Sequence, residues 1–120
     1  MIITLPFPSS ELNPNRKNGK SWKTTQTVKA KSRDDAFILA SNALQRDKLP
    51  KADTYLMRIT FIQPDKRRRD LDNLLASFKS AGDGVASALG IDDSQFSRVE
   101  LLRGFKKGDG HVIVEILPNE

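Results

Sequence analysis

Cysteine is absent from the 120 residues, and the sequence holds only one histidine, one tryptophan and one tyrosine. Without cysteine the fold cannot contain a disulfide, a thiolate zinc site or an iron–sulfur cluster, and a reducing compartment is compatible with it. No apolar run approaches the roughly 20 residues that span a bilayer, and residues 1–8 lack the basic and apolar segments of a signal peptide. We therefore expect a cytoplasmic protein with no membrane partner.

The remaining composition, with 38% hydrophobic and 29% charged residues, is that of an ordinary globular domain. At this length we expect one domain over residues 1–120. Residues 1–69 carry fifteen Lys and Arg against six Asp and Glu, a charge of +9, whereas residues 70–120 carry five against nine, a charge of −4. Because cations that neutralise phosphates release counterions, nucleic acid is the leading candidate partner, although charge alone leaves a non-binding basic protein equally open.

Hydrophobic periodicity predicts an α+β fold with a small mixed sheet and two main helices, in the order strand, helix, strand, helix, strand, strand. The first strand, at 2–5, is expected at an edge or terminus and is followed by a polar loop over 9–22. A helix over about 32–46, with Asp34 and Asp35 in its first turn, precedes a central strand at 54–62. A second helix is predicted from its apolar stripe, Leu74 to Leu89, and Gly90 should cap its end. The last two strands are expected at 99–105 and 112–117, and the turn 107–110 should join them as a hairpin.

The segment 66–73 runs four consecutive cations directly into Asp70 and Asp72, at the boundary between a predicted strand and a predicted helix. If the chain is still extended there, the two carboxylates project to one side, roughly 6.5 to 7 Å apart by Cα rise, close enough to share a cation. Asp92 and Asp93 follow the second helix, which is about 24 Å long. Asp93 therefore reaches Asp70 within one subunit only if the chain folds back; otherwise a partner subunit supplies it. Oxygen donors alone favour Mg²⁺, or Mn²⁺ in its place, over zinc.

Each of these pieces also has a purely structural explanation. Asp72 or Asn73 could serve only as a helix N-cap, Asp92 and Asp93 as turn residues, and the cations as a solvated surface. Together, however, cations beside paired carboxylates suit a site that draws a phosphate onto a bound metal. The residues leave open a metal-dependent nuclease and a non-catalytic nucleic-acid-binding module.

The sequence resembles the RusA family of Holliday-junction resolvases. The resemblance is carried by RRRDLDNLL at 67–75, Lys79, Asp83-Gly84 and GIDDSQF at 90–96, and it extends to ITLPFPSS and the Asn-Pro-Asn-Arg loop near the start. It implies a RusA-like fold and a homodimeric, Mg²⁺-dependent crossover junction endodeoxyribonuclease. Such an enzyme makes paired symmetric nicks in four-way DNA junctions during recombination and repair, and the resemblance suggests a prophage context. A nuclease acting on flaps or duplexes stays an alternative.

The resemblance also implies roles for individual residues. Asp70, Asp72 and Asp93 are the expected catalytic, metal-binding carboxylates, and Lys79 is the expected essential basic residue. In some members this lysine stands at the position of Ala76, and an Asp follows it four residues later. In this chain Lys79 and Asp83 have the same four-residue spacing, but both lie one helical turn further along the same face. Asp92 remains an alternative to Asp93. We expect phosphate contacts from Arg16, Lys17, Lys20, Lys23, Lys66, Arg67, Arg68 and Arg69.

Overall fold

The computed structural model describes residues 1–13 and 22–119. Within these ranges the order of the strands and long helices is the predicted one, and single 3-10 turns at Ser10–Leu12 and Asp93–Gln95 are added to it. No helix in the described ranges is both long and apolar enough to cross a membrane. The elements are β1 (Ile2–Pro6), α1 (Trp22–Arg46), β2 (Tyr55–Gln63), α2 (Leu71–Leu89), β3 (Phe96–Phe105) and β4 (His111–Pro118).

The four strands form a mixed sheet in the order β1-β4-β2-β3. β4 is antiparallel to both β1 and β2, whereas β3 is parallel to β2. The sequence-based predictions of a mixed sheet, a central β2 and a β1 at the edge are therefore confirmed, as is the α+β class.

The predicted hairpin between the last two strands is wrong, because β2 lies between β3 and β4. The connecting turn instead crosses the end of β2. There the backbone N–H of Lys106 donates to the carbonyl of Gln63 at 3.0 Å, and that of Gly108 donates to the carbonyl of Pro64 at 2.9 Å. The turn thus satisfies its own backbone donors on β2, and β3 is left as the outer strand of the sheet.

The core lies between one face of the sheet and the two helices. On β2 the alternating residues Tyr55, Met57, Ile59 and Phe61 are buried, as the sequence pattern predicts. They share one hydrophobic cluster with the buried part of the α2 stripe and with alternate residues of β4. The predicted glycine cap is also confirmed: Gly90 has φ 68, and its N–H donates to the carbonyls at the end of α2.

Helix α1 begins at Trp22 rather than Ser32, so the predicted start is wrong. The sequence WKTTQTVKAK at 22–31 has no apolar stripe, and periodicity therefore could not reveal the first turns. Asp34 and Asp35 consequently lie inside the helix, where Asp35 pairs with Lys31 at 2.6 Å rather than facing the N-terminal dipole. The part of the predicted loop at 14–21 lies outside the described residues.

The apolar residues of α1 that are buried are small ones. Ala36, Ala40 and Ala43 face the core, whereas Phe37 and Leu44 are exposed. The reason is the close approach of α1 to α2: a Cβ built on Gly84 would lie 2.2 Å from the carbonyl oxygen of Arg33. The small alanine side chains and the missing side chain of Gly84 permit that approach, which turns the larger residues outward.

Candidate functional site

A groove of about 410 Å³ lies between α2 and β3. It exists because β3 extends the sheet beyond the part that the helices cover, so Val99 of β3 stays 49% exposed although its partner Met57 on β2 is buried. The groove has an apolar lining interrupted by four charged side chains. The apolar side chains are Met57, Ile59, Leu75, Ala76, Phe78, Ala86, Phe96 and Val99, and the charged ones are Asp72, Lys79, Asp83 and Asp93.

Three of the four predicted catalytic residues line this groove, namely Asp72, Lys79 and Asp93. The fourth, Asp70, lines a neighbouring depression of about 430 Å³ together with Arg68, Asn73 and residues of the N-terminal segment. The structure therefore brings Asp72, Lys79 and Asp93 to one surface and leaves Asp70 on another.

The separation of Asp70 from Asp72 follows from where α2 begins. Asp70 is the N-cap residue, with extended backbone angles of φ −78 and ψ 138 and no side-chain capping bond, and Leu71 is already helical. Each helical residue turns by about 100°, so two residues after the cap the side chain points in a different direction. The expectations of an extended chain at Asp70–Asp72 and of a cap at Asp72 or Asn73 are thus wrong.

Asp72 and Asp93 lie at opposite ends of the groove. Ala86 is the most C-terminal residue of α2 in the lining, and it follows Asp72 by fourteen residues, which corresponds to about 21 Å along the helix axis. Lys79 lies halfway along this stretch of α2, about 10 Å from Asp72 and from Ala86 along the helix axis. Among the described residues, no three Asp, Glu or His side chains come together as a potential metal site. One subunit therefore does not assemble the predicted ligand set from its described residues.

The structure assigns different positions to Asp92 and Asp93, between which the sequence could not decide. Asp92 caps the turn Asp93–Gln95: its carboxylate accepts from the N–H of Ser94 at 3.1 Å and from the Ser94 hydroxyl, while Gln95 Oε1 accepts from the N–H of Asp92 at 2.8 Å. The hydrogen bonds from Ser94 hold the pKa of the Asp92 carboxyl below its usual 3.8. Asp93, by contrast, lines the groove. The geometry favours Asp93 as the functional member.

We predict that Asp92→Ala lowers the stability of the protein at pH 7 more than Asp93→Ala does. Because the pKa of Asp92 is lower in the folded state, its stabilisation is present above about pH 3.8 and is lost as the pH falls through the folded value. Denaturant unfolding at pH 7 and pH 3 measures this: the gap between wild type and Asp92→Ala should shrink at the lower pH. Equal midpoints for the two variants at pH 7 would contradict the capping role.

The basic segment before α2 is held in shape by Asp65. Its carboxylate accepts from Arg69 at 2.8 and 3.2 Å and from the N–H of Arg67 at 2.9 Å, and these bonds lower the pKa of Asp65. The Arg69 guanidinium also lies 5.2 Å from the centre of the Phe7 ring, so this residue has a structural role. Lys66, Arg67 and Arg68 are exposed. Of the other predicted phosphate contacts, Arg16, Lys17, Lys20 and the side chain of Lys23 lie outside the described part of the chain.

Asp83 also lines the groove, although the resemblance assigns it no role of its own. A signal for it exists in the spacing, because Asp72, Lys79 and Asp83 follow one another at seven and four residues, which keeps them on one helix face. The apolar lining contributed by β3 had no comparable signal, since it depends on the parallel pairing of β3 with β2.

Comparison with known proteins identifies a relative of this chain. No protein-family model matches the chain. Over 115 residues it is 34% identical to an uncharacterized protein of Xylella fastidiosa strain Temecula1, and the aligned region covers 95% of this chain and 74% of that protein. The chain therefore belongs to the same protein family as this Xylella fastidiosa protein.

Proposed function

We propose that the protein is a metal-dependent endonuclease of the RusA type, which resolves four-way DNA junctions as a homodimer. The observation that carries the proposal is the shared groove: Asp72, Lys79 and Asp93, each expected to be catalytic from the resemblance, line one surface between α2 and β3. Three exposed cations, Lys66 to Arg68, precede the same helix. Acidic groups beside exposed cations suit metal-dependent nuclease chemistry, because the cations attract phosphates and the carboxylates can hold the metal.

The length of the groove supports a dimer. Asp72 and Asp93 are too far apart in one subunit to share a cation, but a two-fold axis through the middle of the groove would bring each Asp72 to the Asp93 of a second copy. The lining also has exposed apolar side chains that a second copy could cover, with Leu75 at 37% and Val99 at 49% exposure. Such a dimer has two equivalent sites, as two symmetric cuts require.

The donor chemistry of these residues suits magnesium, since every candidate ligand is a carboxylate. Asp72 of one subunit and Asp93 of the other would hold the ion, whereas Asp70, the third expected ligand, lines the neighbouring depression and is not part of this pair. When bound, magnesium lowers the pKa of a coordinated water and polarises a phosphate oxygen. Lys79 would offset the charge that accumulates on the phosphate.

The exposed cations before α2 would hold the DNA strand against the site. Lys66, Arg67 and Arg68 lie within four residues of Asp70, so phosphates that they contact are close to the N-terminal end of the groove. Contacts of this kind position a strand without reading its sequence. The structure of the junction, rather than its bases, would then select the substrate.

A nicking assay tests the proposal. A synthetic four-way junction and a linear duplex of the same sequence are incubated with the wild-type protein in Mg²⁺ or in EDTA. We expect paired nicks at symmetric positions in the junction, only with Mg²⁺, leaving 5′-phosphate and 3′-hydroxyl ends. Equal cutting of the linear duplex would instead identify a general nuclease, and junction binding without any cutting would identify a non-catalytic binding module.

A further inference from the structure

An aromatic ring with a cation beside it lies at the outer edge of the sheet, and it has no role in the function proposed above. Phe105 ends β3 and is 48% exposed, although its partner on β2, Gln63, is buried. The ammonium of Lys66 lies 5.6 Å from the centre of its ring, within the range of a cation–π contact. No residue of β3 is buried, so the ring of Phe105 lies on the part of the sheet that the helices leave uncovered.

The turn after Phe105 is fixed to the segment that leads to the candidate site. Lys106 and Gly108 donate backbone hydrogen bonds to Gln63 and Pro64, at 3.0 and 2.9 Å. Gly110 packs so closely that an added Cβ would lie 2.9 Å from Pro64 Cδ. The ring is therefore held in a fixed relation to Lys66, which precedes Asp70 by four residues, or at most about 14 Å of chain.

The surroundings of the ring are basic. On the chain the ring is preceded by Arg103 and followed by Lys106 and Lys107, and Lys66 lies over it. Asp109 is the single carboxylate of the segment 103–110. Asp109 is engaged by Lys106 at 3.0 Å, which lowers the pKa of its carboxyl. Segments 65–66 and 103–110 together carry four cations and two carboxylates, which leaves a net charge of +2 around an exposed aromatic face.

We propose that Phe105 is a stacking platform for an unpaired base of the DNA strand that enters the candidate groove, with Lys66, Arg103 and Lys107 contacting the phosphates on either side. Aromatic faces bordered by cations bind single-stranded nucleic acid, because every base offers a face for stacking and every phosphate a negative charge. In an intact duplex both faces of each base are already stacked on neighbours, so the ring fits a base exposed at a branch point. The inference rests on the proposed function and names the part of the junction that this surface binds.

Fluorescence anisotropy with a short labelled oligo(dT), in EDTA so that no cutting occurs, tests the platform. We expect Phe105→Leu to weaken binding of oligo(dT) by about fivefold or more, because the stacking contribution of one base is lost. Phe105→Trp, which keeps a stacking face, should stay within about twofold of wild type. A blunt duplex serves as the matched probe: Phe105→Leu should leave its affinity within about twofold, whereas Lys107→Gln should weaken both probes.

Several results would overturn the platform: unchanged binding of oligo(dT) by Phe105→Leu, an equal loss on oligo(dT) and duplex, or wild-type protein that binds duplex but not oligo(dT). Thermal melting of each variant checks that it is folded, and Phe105→Ile, which also removes the aromatic face, replaces Phe105→Leu if the leucine variant is not. The nicking assay is read separately. A wild type that does not cut junctions refutes the nuclease, whereas a cutting wild type with an unaffected Phe105→Leu refutes only the platform.

Discussion

Asp72→Asn is expected to abolish Mg²⁺-dependent junction cleavage, lowering its rate by more than about a hundredfold, while junction binding stays at least as tight. Even residues that only support metal ligands contribute about 10- to 100-fold, so loss of a ligand should cost more. Removal of one negative charge near DNA does not weaken phosphate binding. The fold should persist, because the oxygen of asparagine can still accept the hydrogen bond that Asp72 Oδ1 receives from the N–H of Asn73 at 3.0 Å.

Single-turnover cleavage and a gel-shift titration on the same junction measure the two effects. Asp34→Asn is the matched control, since it makes the same charge change on α1, on a side chain that is 70% exposed and outside the groove lining. It should cleave at close to the wild-type rate. Weakened junction binding by Asp72→Asn, or cleavage that persists in it, would contradict the role assigned to this carboxylate.

The elements with strong periodicity were predictable from the sequence. The alternation on β2 and the apolar stripe of α2 each bury one face against the core, so the pattern and the fold agree. The first turns of α1 escaped prediction because they are polar, and its buried stripe is made of alanines that mark a close helix contact rather than a large apolar face. Helix propensity along such a segment is a weak guide when packing decides the boundary.

The pairing of the strands was harder to predict from the sequence than their positions along the chain. The sequence offers a turn at 107–110 between two strands, which favours a hairpin, yet β3 pairs in parallel with β2. Nothing local distinguishes the two outcomes, because the hydrogen bonds that hold the turn join residues more than forty positions apart, such as Gln63 and Lys106. The groove depends on this pairing, so its apolar lining could not be derived from the sequence.

The candidate residues were predicted in part. The resemblance selected Asp72, Lys79 and Asp93, and these line one groove. It did not indicate that Asp70 lies on another surface, which depends on the residue at which α2 begins. Asp92 and Asp93 could be told apart only from the hydrogen bonds by which Asp92 caps the turn, because the sequence does not distinguish two adjacent aspartates.

The central claim is that Asp72 and Asp93 act together only across two subunits. It predicts that two inactive variants complement one another. In a dimer with one Asp72→Asn subunit and one Asp93→Asn subunit, one composite site carries both substitutions and the other carries neither. If each site instead used both carboxylates of one subunit, every site in that mixed dimer would carry one substitution and none would be intact.

Subunits with two different affinity tags allow the mixed dimer to be purified and tested on a four-way junction with Mg²⁺, beside both parental homodimers. We expect the parents to be inactive and the mixed dimer to nick at about half the wild-type rate, one strand at a time, because one of its two sites is intact. A mixed dimer as inactive as its parents would contradict the composite site and with it the proposed arrangement of the enzyme.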